Sequence, residues 1–266
     1  MPFYAFVFGS MTVKFQRGQL PDNDIVTFSI FVNQVDRGHT VGTFNDLVSG
    51  ASVPGDPMFV LDRMAKWTIG PLHINDGDGV NVIYTGTNVS DLPPDTQGQL
   101  EVKVLNVVLT AVIGAAGLGA IGSAIGGALG FLGDPVGKLL GVRPEGPCNG
   151  TVFHDAPFFT GSGLAALPYE QLTYDPDYSG YVFTRSYTDA ESHNTSICGH
   201  IAETEVNFGV MALPYVSVWR WTMIKNRARG FTDNRIGKPL SLQKSLVPFG
   251  GPSQGQWVSV SALLVS

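Results

Sequence analysis

The sequence predicts a mainly β fold with a central apolar helical insert, in which two β-sandwich-like halves flank a glycine-rich helix or helical hairpin. Three observations lead there. Short runs with apolar residues at every second position recur on both sides of the middle of the chain. Clusters of Gly, Pro, Asn and Asp punctuate them, and one uncharged stretch of 30 residues, Val104–Gly133, breaks the pattern. The boundaries follow: an N-terminal β-sandwich-like region over 1–97, a glycine-rich apolar helical segment over 98–141, and a C-terminal β-rich region with long loops over 142–266.

In the first region, Met11, Val13 and Phe15 alternate with Thr12 and Lys14. Val26, Phe28, Ile30 and Val32 alternate with Thr27, Ser29 and Phe31, and Val80, Val82 and Tyr84 repeat the pattern. A period of two is the signature of a strand with one face on a core. Turn residues separate the runs at 21–24, 54–57 and 75–79, the last reading Asn75-Asp76-Gly77-Asp78-Gly79. No stretch here has a helical period.

The C-terminal region repeats the strand signal. Tyr181, Phe183, Arg185 and Tyr187 share one face, and Ala202, Thr204, Val206, Phe208 and Val210 share another. Trp219, Trp221 and Met223 alternate along 215–224, and an apolar run closes the chain over 257–265. Residues 161–178 and 229–255 lack periodicity and read as long loops.

The middle segment is too long for a strand. Gly122, Gly126 and Gly130 fall four apart, as do Ala116, Ala120, Ala124 and Ala128, while Ile121, Ile125 and Leu129 line the other side. This spacing predicts helix from about Leu100 to Leu132, with a bend near Gly114–Gly119 in the hairpin reading. Asp134 and Pro135 then cap a short helix over 136–140. Small residues every fourth position let two helix backbones approach closely. Glycine disfavours helix by about 1 kcal/mol relative to alanine. The seven glycines from Gly114 to Gly130 therefore need a bilayer or close helix packing to offset them.

Composition excludes several functions. Hydrophobic residues are 44% of the chain and charged ones 14%, so a sizeable core forms. The net charge of −6 and the absence of a Lys/Arg run exclude a nucleic-acid partner and an electrostatic pull toward anionic lipid. The N-terminus lacks the basic region of a secretory signal, which points to the cytoplasm or to export without a leader. Cys148 and Cys198 either pair or stay reduced, and three glycosylation sequons matter only on export. No nucleophile elbow, phosphate loop, dinucleotide fingerprint or zinc spacing is present.

Three functional readings follow. The first is a non-enzymatic membrane-active, pore-forming or self-assembling protein acting through residues 104–133, with the membrane or a second copy as partner. Its membrane or helix-packing residues are Gly114, Gly117, Gly122, Gly126, Gly130, Ile121, Ile125 and Leu129. The second is a β-sandwich module binding glycans or calcium-dependent ligands, with the helix as buried core. Its candidates are Asp76, Asp78, Trp219 and Trp221; no cofactor is expected, and Asp22, Asp24, Asp76 and Asp78 would suit calcium only if their loops meet. The third is a hydrolase-like enzyme using Cys198 with His200. The four-residue glycine row yields a direct test. Gly126→Leu overpacks a close helix contact and should lower stability by roughly 1–3 kcal/mol in thermal or urea melts. An unchanged melt would place that face against solvent or lipid.

Overall fold

The computed structural model describes residues 3–16, 22–54, 65–89, 97–116, 150–173, 178–188 and 203–213. The strands are β1 (Phe3–Phe15), β2 (Asp22–Val32), β3 (Val35–Leu47), β4 (Ser52–Val53), β5 (Thr68–His73), β6 (Gly79–Asn88), β7 (Gly150–Asp155), β8 (Phe158–Thr160), β9 (Glu170–Gln171), β10 (Ser179–Thr188) and β11 (Glu203–Leu213). Among the described residues the α-helices α1 (Gln97–Ala116) and α2 (Gly161–Ala165) and a single 3-10 turn, Ala65–Trp67, interrupt them. The protein is mainly β, in two antiparallel sheets. The first runs β4-β1-β11-β10-β9 with β5 also on β1, and the second runs β3-β2-β6-β7 with β8 also on β6.

This corrects the expectation of two sandwich-like halves. β1 pairs with β11 from Phe3↔Leu213 to Phe15↔Glu203, and β6 pairs with β7. Strands from before and after the apolar segment thus share both sheets and enclose one core. Alternation tells which face of a strand is buried and nothing about which strand lies beside it, so the sequence pattern could not distinguish one sandwich from two.

β1 shows why partners matter. Phe3 to Phe8 are all buried, so both faces of this half of the strand are covered, and β11 on one edge with β4 and β5 on the other makes it an interior strand of its sheet. A strand covered on both faces reads as a continuous apolar run, so its first half carries no alternation. A bulge between Phe8 and Ser10 then changes parity, which lets Phe8 and Met11 both face the core.

The core lies between the sheets. Tyr4, Phe6, Phe8, Met11 and Val13 face Val26, Phe28, Ile30, Val32, Val80, Val82 and Tyr84. Val206, Phe208 and Val210 of β11 complete it, so the expected inward rows of β2, β6 and β11 all form. Aromatic pairs knit the layers: Phe8 lies 5.9 Å from Phe28 and Tyr84 5.3 Å from Phe208, while Phe183 stacks on Phe208 at 4.7 Å within one sheet.

α1 begins at Gln97, close to the expected start. It rests on β2 and β3, burying Leu100, Val104 and Val108, which fall four apart along one stripe. Thr43 Oγ1 of β3 donates to Glu101 Oε1 at 2.8 Å and fixes its first turns. The remainder of the expected central helix, residues 117–132, lies outside the described residues, as does the short helix expected over 136–140.

The opposite end of the sandwich is closed by backbone. Asn33 and Gln34 turn β2 into β3 with φ of 50° and 67°, the left-handed values of a tight hairpin. Asn33 Nδ2 donates to Asp78 Oδ1 at 2.8 Å, and Asn75 N donates to Asp78 Oδ2 at 2.7 Å. Residues 161–165, expected as loop, form α2 because Thr160 caps it, accepting from Gly163 N at 3.0 Å. Gly161 N donates to Asp78 O at 2.8 Å, and a Cβ on Gly161 would fall onto the Asn75 carbonyl oxygen.

Two glycines should therefore respond in opposite directions. Gly161→Ala forces backbone against backbone and should cost roughly 2 kcal/mol or more. Gly98→Ala, in the first turn of α1 where a Cβ meets nothing within 4 Å, should raise stability by about 0.5–1 kcal/mol. Urea denaturation of both variants checks the pair.

Candidate functional site

The helix α1 belongs to a long excursion between two neighbouring strands. β6 ends at Asn88, β7 begins at Gly150, and these residues are register partners. Cα atoms of antiparallel partners lie about 4.5–5.5 Å apart. Residues 89–149, which include the whole uncharged stretch, therefore leave and re-enter the sandwich side by side.

The roots are held firmly on the inner side. Asp24 and Asn88 are partners across β2 and β6, both buried, with Asn88 Nδ2 donating to Asp24 Oδ1 at 3.2 Å. Two residues further in, Gly86 leaves room for the ring of Phe153, which would occupy the position of any Cβ there. The ring in turn lies 6.3 Å from Tyr84 and 5.8 Å from Tyr187.

The outer face of the same sheet, where α1 rests, has a different character. Ile25, Thr27, Ser29 and Phe31 of β2 and Ile83, Thr85 and Thr87 of β6 point that way, with Thr151 of β7 beside Thr87. All are buried. Thr27 and Thr85 hydroxyls pair at 2.8 Å, whereas Ser29 Oγ, Thr87 Oγ1 and Thr151 Oγ1 have no hydrogen-bond partner among the described residues. A buried hydroxyl without a partner costs on the order of 1–3 kcal/mol, a penalty that water removes. The outer layer is thus less well matched than the aromatic core.

Of the residues singled out from sequence, Gly114 lies near the end of α1. Gly117, Gly122, Gly126, Gly130, Ile121, Ile125, Leu129, Trp219, Trp221, Cys148, Cys198 and His200 lie outside the described residues. The four aspartates do not come together. Asp22 and Asp24 stand at the start of β2, whereas Asp76 and Asp78 lie in the turn before β6, beside Val32 at the far end of β2. Eight residues of strand separate the groups by about 26 Å. Hydrogen bonds from Asn75 and Asn33 hold the Asp78 carboxyl below its usual range, so this carboxylate serves the turn. Among the described residues no three His, Cys, Asp or Glu side chains gather in a group that could hold a metal. No helix among them is long and apolar enough to cross a membrane.

One polar cluster escaped the sequence reading. Tyr84 of β6 and Tyr187 of β10 bring their hydroxyls to 2.6 Å across the two sheets. Both donate to Asp155 Oδ2 of β7, at 3.1 and 2.9 Å. The signal was present: Tyr84 continues the inward row of Val80 and Val82, and a buried phenol needs a partner. Burial pushes both phenols above the ordinary value of 10, and the nearby Asp155 carboxylate adds to it. Nothing in the triad resembles an activated nucleophile; it ties one sheet to the other.

The sign of the pH effect follows. A phenol whose folded pKa lies above its unfolded value stabilises the fold fully below pH 10, and that contribution falls as pH rises past 10. Urea midpoints should hold to about pH 9.5 and then drop. Tyr84→Phe and Tyr187→Phe should each cost about 1 kcal/mol at neutral pH yet flatten the alkaline decline. An unaltered alkaline limb in both variants would assign the titration to Tyr4 and Tyr169, whose phenols burial also raises.

Comparison with protein-family models, curated proteins and solved structures finds no match to this chain.

Proposed function

We propose that this protein is a non-enzymatic, membrane-active protein whose β-sandwich carries residues 104–133 as the working segment. The observation that carries this reading is the pairing of Asn88 with Gly150, which sets both roots of an uncharged 30-residue run at one point of a closed fold. The strands β6 and β7 need only a short turn between them, so the excursion is dispensable for closing the sheet and free to serve another purpose.

The roots also constrain how the segment meets a bilayer. Both lie on the same side, so it must enter and return. Each full crossing needs about 20 residues, or about 40 for two. Thirty residues bent in the middle give legs of about 15, or about 22 Å of helix each. A re-entrant hairpin that penetrates without crossing fits these lengths, with the bend near Gly114–Gly119 and the rows of Gly and Ala letting the legs touch. A hairpin of this depth perturbs a leaflet by itself and needs several copies to line a pore.

In water the segment must be kept from aggregation, and α1 begins that restraint. Its seat combines three buried aliphatic side chains with the outer faces of β2 and β3. Release exposes Leu100, Val104 and Val108, apolar area that the bilayer must take up, whereas the aromatic core behind the sheet stays closed. With a charge of −6, neutral lipid is the expected target.

Dye release from phosphatidylcholine vesicles tests this. In a Cys148→Ser, Cys198→Ser background, Thr43→Cys and Glu101→Cys joined by a short bismaleimide tether α1 to β3. The untethered protein should release dye, and the tethered one should not. Equal release by both forms removes α1 detachment from the mechanism. Absence of release by either makes the segment core or an assembly interface.

A further inference from the structure

The sandwich has two ends, and each presents two exposed apolar side chains; among the described residues Val102 of α1 and Val182 of β10 are also exposed. At the root end, Phe15 finishes β1 and is 55% exposed, and Val48, just past β3, is 46% exposed. At the other end Phe158 is 61% and Val35 51% exposed. The register fixes which end is which. Asp22 pairs with Leu47 and Asp24 with Asn88, so the end of β3 stands beside the roots of residues 89–149. Phe158 pairs with Asn81, seven residues back along β6, or about 23 Å away.

Phe15 and Val48 sit on firmly placed backbone. Gly50 N donates to Val13 O at 2.7 Å and Val13 N to Ala51 O at 2.9 Å, which ties the 48–51 turn to the end of β1. Gln16 N donates to Ser49 Oγ at 3.1 Å, and Ser49 N returns a bond to Gln16 Oε1 at 3.0 Å. Both side chains are thus presented by adjoining, mutually bonded segments. Among the described residues the nearby charges are mostly acidic: Asp46 lies beside them, Glu203 pairs with Phe15, and Lys14 is engaged by Glu205 at 3.4 Å.

We infer that this end of the sandwich is the surface that rests on the bilayer, with Phe15 and Val48 seated at the headgroup–acyl boundary and the lipid zwitterionic. The inference rests on the membrane reading above. A re-entrant segment rooted at Asn88 and Gly150 must bring its root end down to the lipid, and apolar side chains there gain by leaving water. The acidic surroundings disfavour anionic headgroups and leave apolar contact as the driving force.

Flotation with phosphatidylcholine vesicles, run alongside dye release on the full chain, tests it. Phe15→Ser/Val48→Ser should keep the wild-type urea midpoint, since both side chains are exposed, and should partition roughly tenfold more weakly. Phe158→Ser, at the far end, should partition like wild type, and neither result should change with ionic strength. If wild type floats and releases dye while the double variant floats equally well, the surface assignment falls and the membrane reading stands. Weakening by Phe158→Ser as large as that of the double variant also overturns the assignment. So does loss in the double variant of a self-association seen without vesicles, because the surface is then a contact between copies. If wild type neither floats nor releases dye, the membrane reading itself fails and the assignment with it.

Discussion

Antiparallel pairing of β6 with β7 is the interaction on which the rest of this molecule depends. Asn88 and Gly150 must meet across the ladder, although residues 89–149 separate them in sequence. Closing so long a loop costs roughly 2–3 kcal/mol more than closing a four-residue turn, by the logarithmic dependence of loop entropy on length. That difference is small beside the ladder and the core it completes, so the fold tolerates the excursion. Docking of α1 through Leu100, Val104 and Val108 offsets part of it, since a fully buried aliphatic side chain contributes about 1.5–3 kcal/mol before ordering costs.

The sandwich is therefore built as a firm body with a less committed outer layer. Inside, Phe8, Phe28, Phe183 and Phe208 interlock, and Tyr84, Tyr187 and Asp155 bind sheet to sheet at the strands that carry the excursion. Outside, α1 covers part of the second sheet, whose outer face carries hydroxyls at Ser29 and Thr87 without a partner among the described residues.

Several elements were legible from residue order because their faces differ in environment. Val26 to Val32, Val80 to Tyr84 and Thr204 to Val210 each alternate, and each contributes an inward row. β3 was not legible: as the edge strand of its sheet it is largely exposed, and Asp36, Arg37, Gly38 and His39 leave it no apolar period. The first half of β1 escaped for the opposite reason, since both its faces are covered over Phe3 to Phe8, whereas Met11, Val13 and Phe15 kept their alternation. The helix at 161–165 depends on one cap from Thr160 and has too few residues to show a period. The aspartate pairs looked alike in composition, yet the turns that hold them lie at opposite ends of β2.

Residue order by itself determined the class of fold, the inward rows of the long strands, the start of α1 and the uncharged run that sets this protein apart, because each depends on neighbours within a few positions. Tertiary structure alone decided that the N- and C-terminal strands share both sheets, that the roots of residues 89–149 stand side by side, and that Tyr84 finds Tyr187 and Asp155. Those facts depend on which strand lies next to which. A two-residue period marks a buried face and leaves the neighbour unspecified until the backbone hydrogen bonds of the whole sheet are satisfied together.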